Sequence, residues 1–336
     1  METLLIITIV LTLSFTLTNG MKDGNNVMAT AVASQSLSKK TALIVVTLAE
    51  FTGPFIFGIP VAITVASGII NVNLLSPGLH SLILILSGII GAIIWNALTW
   101  ILRLPTSSSF TLVGGLMGPA IVEYGHRGIP WAIFLTKVLL AMFLSPLLGI
   151  LFGYLIYRGM RRLLINADFK FNRYLKISQI GTLIALGMSH GTNDSQKSMG
   201  VIALALLFAG KIPHIGVPLW VMALSAGVLA TGITLGGNKI LKTVGYGIFK
   251  LRPIHSFSAQ ISSFSILLAC NLIGAPVSTS QIIASSVIGV GSGYRRKSVN
   301  MKVIINIFLS WLLTIPLAGL MSGIVYIIIT KLIIGG

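Results

Sequence analysis

Residues 190–200 read HGTNDSQKSMG, set between the apolar stretches ISQIGTLIALGMS and VIALALLFAG. They place Asn193, Asp194, Gln196 and Lys197 where a membrane span would otherwise continue. An aspartate at the centre of a spanning helix costs about 2.5–3.5 kcal/mol on insertion scales, so it persists only with a partner or a water-filled cavity. A second acid, Asp23, sits in the related stretch NGMKDGNNVM. Stacking the two matches Gly191 with Gly20, Asp194 with Asp23 and Met199 with Met28, an offset of 171 (194 minus 23). The segments LPTSSSFTLVGGLMG (104–118) and APVSTSQIIASSVIG (275–289) match Pro105 with Pro276, Ser107 with Ser278, Ser109 with Ser280 and Gly118 with Gly289, again at 171. Two unrelated motifs sharing one offset mark a duplication. The expected halves are 1–157 and 177–336, joined by a linker at 158–176.

The serine segments suggest what the acids are for. A proline favours the first turn of a helix, whose N–H groups lack helical partners and carry partial positive charge. Two such ends, with the hydroxyls of Ser107, Ser108, Ser109, Ser278, Thr279 and Ser280, would form a cage of donors for an oxyanion. The alternative is that these hydroxyls only cap helices or permit close packing. An anion beside two aspartates needs a cation such as Na⁺ between them, or a proton on the anion that is donated to Asp. Both favour phosphate, because HPO₄²⁻ and H₂PO₄⁻ can donate a hydrogen bond and ionised sulfate cannot.

The elements that must position these groups follow from composition. The chain of 336 residues is 55% hydrophobic and 9% charged, against about 25% charged in soluble domains. It reads as an all-α polytopic membrane protein. Six carboxylates (Glu2, Asp23, Glu50, Glu123, Asp168 and Asp194) face 23 Lys plus Arg, a net charge of +17. No basic stretch is interleaved with aromatics on a soluble domain, so no nucleic-acid partner is expected; the charge suits loops facing the cytoplasm and anionic lipid. The single cysteine, Cys270, cannot form an intrachain disulfide. Residues 4–17 lack a preceding basic residue and run into a polar motif, which favours a first transmembrane helix over a signal peptide. Spans are expected near 2–20, 41–69, 79–102, 130–157, 177–210, 213–237, 254–274 and 303–333. Segments 105–122 and 276–292 read as broken or re-entrant helices, and the two acid motifs as breaks in the membrane. The total is about ten to twelve membrane elements.

Charge predicts orientation. The linker RGMRRLLINADFKFNRYLK carries six Lys or Arg and one Asp, which places it in the cytoplasm. The loop at 70–80 has no Lys or Arg, whereas its counterpart near 239–252 holds Lys239, Lys242, Lys250 and Arg252. EYGHRGIP has one basic residue and YRRKSVNMK four, while Lys39 and Lys40 correspond to a lone Lys211. Loops basic in one half are bare in the other, as an inverted-topology repeat requires. Both termini would then lie outside the plasma membrane. Inverted repeats are a recurrent plan of secondary transporters, with the substrate site near the midplane.

GTNDSQKSMG and NGMKDGNNVMAT, with PTSSSF and PVSTSQ, resemble the paired motifs of the inorganic phosphate transporter family in order and spacing across most of the chain. The resemblance implies cation-coupled symport of phosphate, with Na⁺ or in some bacterial members H⁺, by an inverted-repeat fold working as a homodimer. Carried over, Asp23, Asn26, Asn193 and Asp194 would bind phosphate or its coupling cations, with Asp23, Asn26 and Asp194 the Na⁺ candidates. The six hydroxyls would hold phosphate, Lys197 would face it, and Glu50 becomes a further coupling-ion candidate; the alternative for Glu50 is a structural partner to a nearby Lys or to a backbone gap. Lys22 stands where the family has Asn or His, and it would either occupy cation space or snorkel outward. Phe110 and Gln281 replace histidines that follow the serines in many members, which favours Na⁺, whereas Lys22 pulls toward H⁺. His190 directly precedes the second motif and could tune it, though a helix-packing hydrogen bond is the favoured expectation. Rival readings are a carrier of sulfate or of a metal–phosphate complex, or an intramembrane hydrolase. The hydrolase would need one nucleophile–base pair rather than duplicated motifs.

Overall fold

The apolar stretches fold as helices, and the polar motifs fold with them. A computed structural model describes residues 1–102, 106–168, 171–236, 251–295 and 301–333, excluding the side chains at 100 and 301–311. Pro105 and the expected loop charges Lys239, Lys242, Lys250, Arg296 and Lys297 lie outside the described residues. The described residues form eleven α-helices: α1 (Glu2–Ala33), α2 (Lys39–Phe57), α3 (Pro60–Gly68), α4 (Leu79–Ile101), α5 (Ser108–Tyr124), α6 (Trp131–Leu163, with a π-helical turn at Phe134–Leu139), α7 (Phe171–Phe208), α8 (Leu219–Leu235), α9 (Pro253–Leu272), α10 (Thr279–Tyr294) and α11 (Met301–Ile333). Among them α1, α2, α4, α6 and α11 are long and apolar enough to cross a bilayer. The 38-residue α7 has the length as well, rising about 57 Å at 1.5 Å per residue.

The acid motifs do not break their helices. Asp23 lies within continuous α1 and Asp194 within continuous α7, because their side chains find partners on neighbouring helices and the backbone keeps its own ladder. Along α1, Thr8, Thr12 and Thr16 each return their hydroxyl to the carbonyl four residues back, at 2.7, 2.7 and 2.8 Å, so these polar residues are satisfied within the helix. The interruptions fall elsewhere. One is Gly58, at φ 75°, between α2 and α3. There the Gln196 amide repairs the exposed backbone: Oε1 accepts from Val61 N (2.7 Å) and Ala62 N (3.1 Å), and Nε2 donates to Gly58 O (2.6 Å). The others precede α5 and α10, whose N-caps are Ser107 and Ser278. Pro276 stands ahead of that cap rather than inside the first turn, so the cap residue is the hydroxyl itself.

Packing is reciprocal across the 171-residue offset. α5 rests on α11 and α10 on α6; α1 rests on α8 and α7 on α2. The matched glycines make these contacts close. A Cβ on Gly20 would strike the α8 backbone at Leu229, and one on Gly191 the α2 backbone at Glu50; Gly118 and Gly289 meet Gly319 and Ile150 in the same way.

The helix ends gather in two groups. Glu2 pairs with Lys211 beyond the end of α7 (2.7 Å), Gly78 N donates to Phe208 O, and Tyr326 near the end of α11 donates to Glu123 of α5 (2.8 Å). In the other group, Gln179 near the start of α7 donates to Ser36 after α1 and to Pro253 O at the start of α9.

Candidate functional site

The starts of α5 and α10 meet the middles of α1 and α7 in a buried polar centre. Ser107 Oγ donates to Ser278 Oγ at 2.8 Å, so residues 171 apart touch one another. On either side the same bond is made twice. Ser108 Oγ donates to Asp23 Oδ2 at 2.8 Å, and Thr279 Oγ1 donates to Asp194 Oδ2 at 3.3 Å. Five of the six hydroxyl residues named from sequence are buried and Ser280 is half-buried, its Oγ 3.3 Å from that of Ser278. Capping accounts for only part of this, since Ser107 Oγ accepts weakly from Phe110 N at 3.5 Å while Ser278 makes no side-chain cap.

The two acids differ in their company. Asp23 meets Ser108 and, at 3.5 Å from its Oδ1, the Asn26 amide. Asp194 accepts from Asn19 Nδ2 of α1 at 3.2 Å and from Lys197 Nζ at 2.5 Å. Lys197 also donates to Ser109 Oγ (2.6 Å) and Val277 O (2.9 Å), which uses all three protons of an ammonium. Asn193 braces the chain before α10: its amide donates to Asn271 Oδ1 (2.8 Å) and Ala275 O (3.2 Å) and accepts from Val277 N (3.3 Å).

Glu50 is fully buried on α2, and its neighbour is a histidine rather than a lysine. Oε1 lies 2.9 Å from His190 Nδ1, whose Nε2 lies 3.4 Å from Asp194 Oδ2. His190 thus links Glu50 to the Asp194–Lys197 pair, a larger part than a packing contact. Lys22 is half-buried and is placed by α4, donating to Asn96 O (3.3 Å) and Oδ1 (3.4 Å). It is neither against Asp23 nor extended to a surface. Phe110 packs edge-on to Phe143, and both amide atoms of buried Gln281 find no protein partner among the described residues.

Sequence reasoning missed Asn19, Asn96 and Asn271. Each is an amide inside an apolar run, and that was the available signal; which helix each would meet was not in the run. Among the described residues no three of His, Cys, Asp and Glu cluster as a metal site. A hard cation here would take carboxylate, amide and hydroxyl oxygens, and the buried Asn19 Oδ1 and Asn26 Oδ1 are both without a hydrogen-bond donor.

Long apolar helices around a buried, charged and hydroxyl-rich centre define a multi-pass membrane protein of the transporter class. The pattern of the phosphate transporter family matches residues 19–174 and 166–322. A "probable low-affinity inorganic phosphate transporter" of Mycobacterium tuberculosis is 37% identical over 329 residues, covering 96% of this chain and 77% of that one. One of the same description from Bacillus subtilis is 33% identical over 337 residues, covering 99% and 100%. A solved structure titled "The sodium-dependent phosphate transporter" superposes with a TM-score of 0.89 at 26% identity, covering 98% of this chain and all of that one. The protein belongs to the phosphate transporter family. Its relatives are transporters, so the hydrolase reading falls.

Proposed function

We propose that the protein is a secondary active transporter that carries inorganic phosphate together with a cation, Na⁺ ahead of H⁺, by alternating access. The observation that carries this is the twofold bond of hydroxyl to acid, Ser108 to Asp23 and Thr279 to Asp194, flanking the Ser107–Ser278 contact. A hydroxyl has one proton, and in this arrangement it is spent on a carboxylate. A cation taking up the carboxylate charge releases the hydroxyl to turn toward an oxyanion, so cation and phosphate binding reinforce each other. Phosphate is assigned to Ser107, Ser108, Ser109, Ser278, Thr279 and Ser280, with Asn193 holding the α10 entry and Lys197 adding positive charge alongside. Asp23 and Asn26 are assigned to the coupling cation and Asp194 to a second cation position, one that the Lys197 ammonium already reaches, with Glu50 a further coupling group. The likeness to a structure titled as sodium-dependent supports Na⁺.

The halves 1–157 and 177–336 are assigned opposite orientations across the 158–176 linker. The grouping of helix ends supports this: α1 starts in the group where its counterpart α7 ends, and α5 ends beside Tyr326, whereas its counterpart α10 ends at Tyr294 against His255 near the start of α9, in the other group. Both termini are assigned to the outside of the plasma membrane and the linker to the cytoplasm, with the protein working as a homodimer in the bilayer. Labelled phosphate uptake into proteoliposomes under imposed Na⁺ or H⁺ gradients tests the function. Uptake driven by the Na⁺ gradient, inhibited by arsenate and not by sulfate, is expected; gradient-independent uptake or sulfate competition would overturn it.

A further inference from the structure

We propose that Lys197 is a built-in coupling cation: it permanently fills the cation position at Asp194, leaving the Asp23 position as the only one that takes a mobile ion. The inference rests on the transport reading above and deepens it. Under the 171-residue offset Lys197 stands where the other motif has Asn26. Its ammonium is bound by an acid, a hydroxyl and a backbone carbonyl, namely Asp194 Oδ1, Ser109 Oγ and Val277 O. That is the oxygen set a hard cation would recruit at the same point. The residue is only 3% exposed and its ammonium has no spare proton for another acceptor.

The Asp23 side has the vacancy that the Asp194 side lacks. Asp23 is buried with Ser108 and Asn26 as its hydrogen-bond partners, and no lysine, arginine or histidine pairs with it among the described residues. Lys22, next to it in sequence, is turned to Asn96 on α4, and Glu50 faces His190. The buried Asn26 carbonyl Oδ1, without a hydrogen-bond donor, lies on the same helix as Asp23, within one turn of it, whereas the Asn19 amide donates to Asp194 and belongs to the other position. A buried carboxylate of this kind needs a positive partner, and here the partner must come from solution. The two positions share an acid and a hydroxyl but differ in occupancy, and each phosphate should move with one cation rather than two.

The test is a flux ratio in proteoliposomes, with ²²Na⁺ and ³²P-phosphate followed together and an internal pH dye counting protons. Wild type should carry close to one coupling cation per phosphate, with a Hill coefficient for the cation near one. Lys197→Asn, which copies the Asn26 arrangement, should transport more slowly but with a ratio near two and a Hill coefficient above one. Lys197→Met, which removes the charge without adding an oxygen, should lose most uptake. A wild-type ratio of two overturns the assignment whatever the variants do, as does an active Lys197→Asn protein with an unchanged ratio. Absence of any phosphate uptake by wild type would instead bring down the transport reading, and this inference with it.

Discussion

At the scale of single residues, the two acids should fail differently. Asp23→Asn and Asp194→Asn should both abolish gradient-driven phosphate uptake. Asp194→Asn should also lower the melting temperature in detergent further than Asp23→Asn does, because it strands the Lys197 ammonium in a buried site. Breaking a buried pair in that way costs about 3–5 kcal/mol. Near-normal uptake by both variants would remove the acids from the site. Ser108→Ala and Thr279→Val each delete one donor, and each should raise the phosphate KM roughly five- to tenfold, the worth of one to one and a half kcal/mol of hydrogen bonding. Loss of expression with an unchanged KM would assign those hydroxyls to helix capping instead. The acids and hydroxyls were legible in the sequence because repetition at 171 residues singles them out from biased composition. The links from Asn19 to Asp194 and from Glu50 to His190 were not. They join helices far apart in the chain, and no local periodicity specifies which buried amide meets which acid.

At the scale of elements, the polar motif has a mechanical task beside its chemical one. Gln196 satisfies three backbone groups at the α2–α3 break. Gln196→Ala should therefore destabilise the fold by about 1–3 kcal/mol for each group left unpaired without water, read as a fall in melting temperature; an unchanged melt would mean that the break needs no brace. Gly191→Ala should cost about 1–3 kcal/mol by pushing α7 from the α2 backbone at Glu50, and should lower the yield of folded protein. The expected spans at 79–102 and 254–274 correspond closely to α4 and α9. The expected breaks at the acid motifs do not exist as breaks. Composition reports that a segment is polar; whether it interrupts the helix depends on whether neighbouring helices can satisfy its side chains, and here they do.

At the scale of the whole molecule, the charge distribution of the described residues follows the grouping of helix ends. Lys39, Lys40, Arg158, Arg161, Arg162, Arg173, Lys176, Arg252 and Arg295 belong to the ends gathered around Gln179, whereas the opposite group has Arg127, Lys211 and Lys331 beside Glu2 and Glu123. In a Cys270→Ser background, a cysteine at Ser76 should react with a membrane-impermeant thiol reagent in intact cells, and one at Asn166 only after permeabilisation. The reverse pattern would invert the assigned topology. The unequal charge of the two groups was legible in the sequence, because counting basic residues needs no knowledge of contacts; the side of the membrane that each faces is what the labelling decides.

The exchange of partners between α5–α11 and α10–α6 also bears on how the chain is made. More than a hundred residues separate the end of α6 from the start of α10, roughly 10 s of synthesis at ribosomal rates. During that interval α5 and α6 sit in the membrane without α11 and α10, and at the start of α5 Ser108 has Asp23 within reach while Ser107 and Ser109 lack the second-half groups they bond. Assembly is therefore post-insertional. A nascent chain stalled before α10 should be held by insertion factors and open to proteolysis, and the last helix delivered is the one that covers α5.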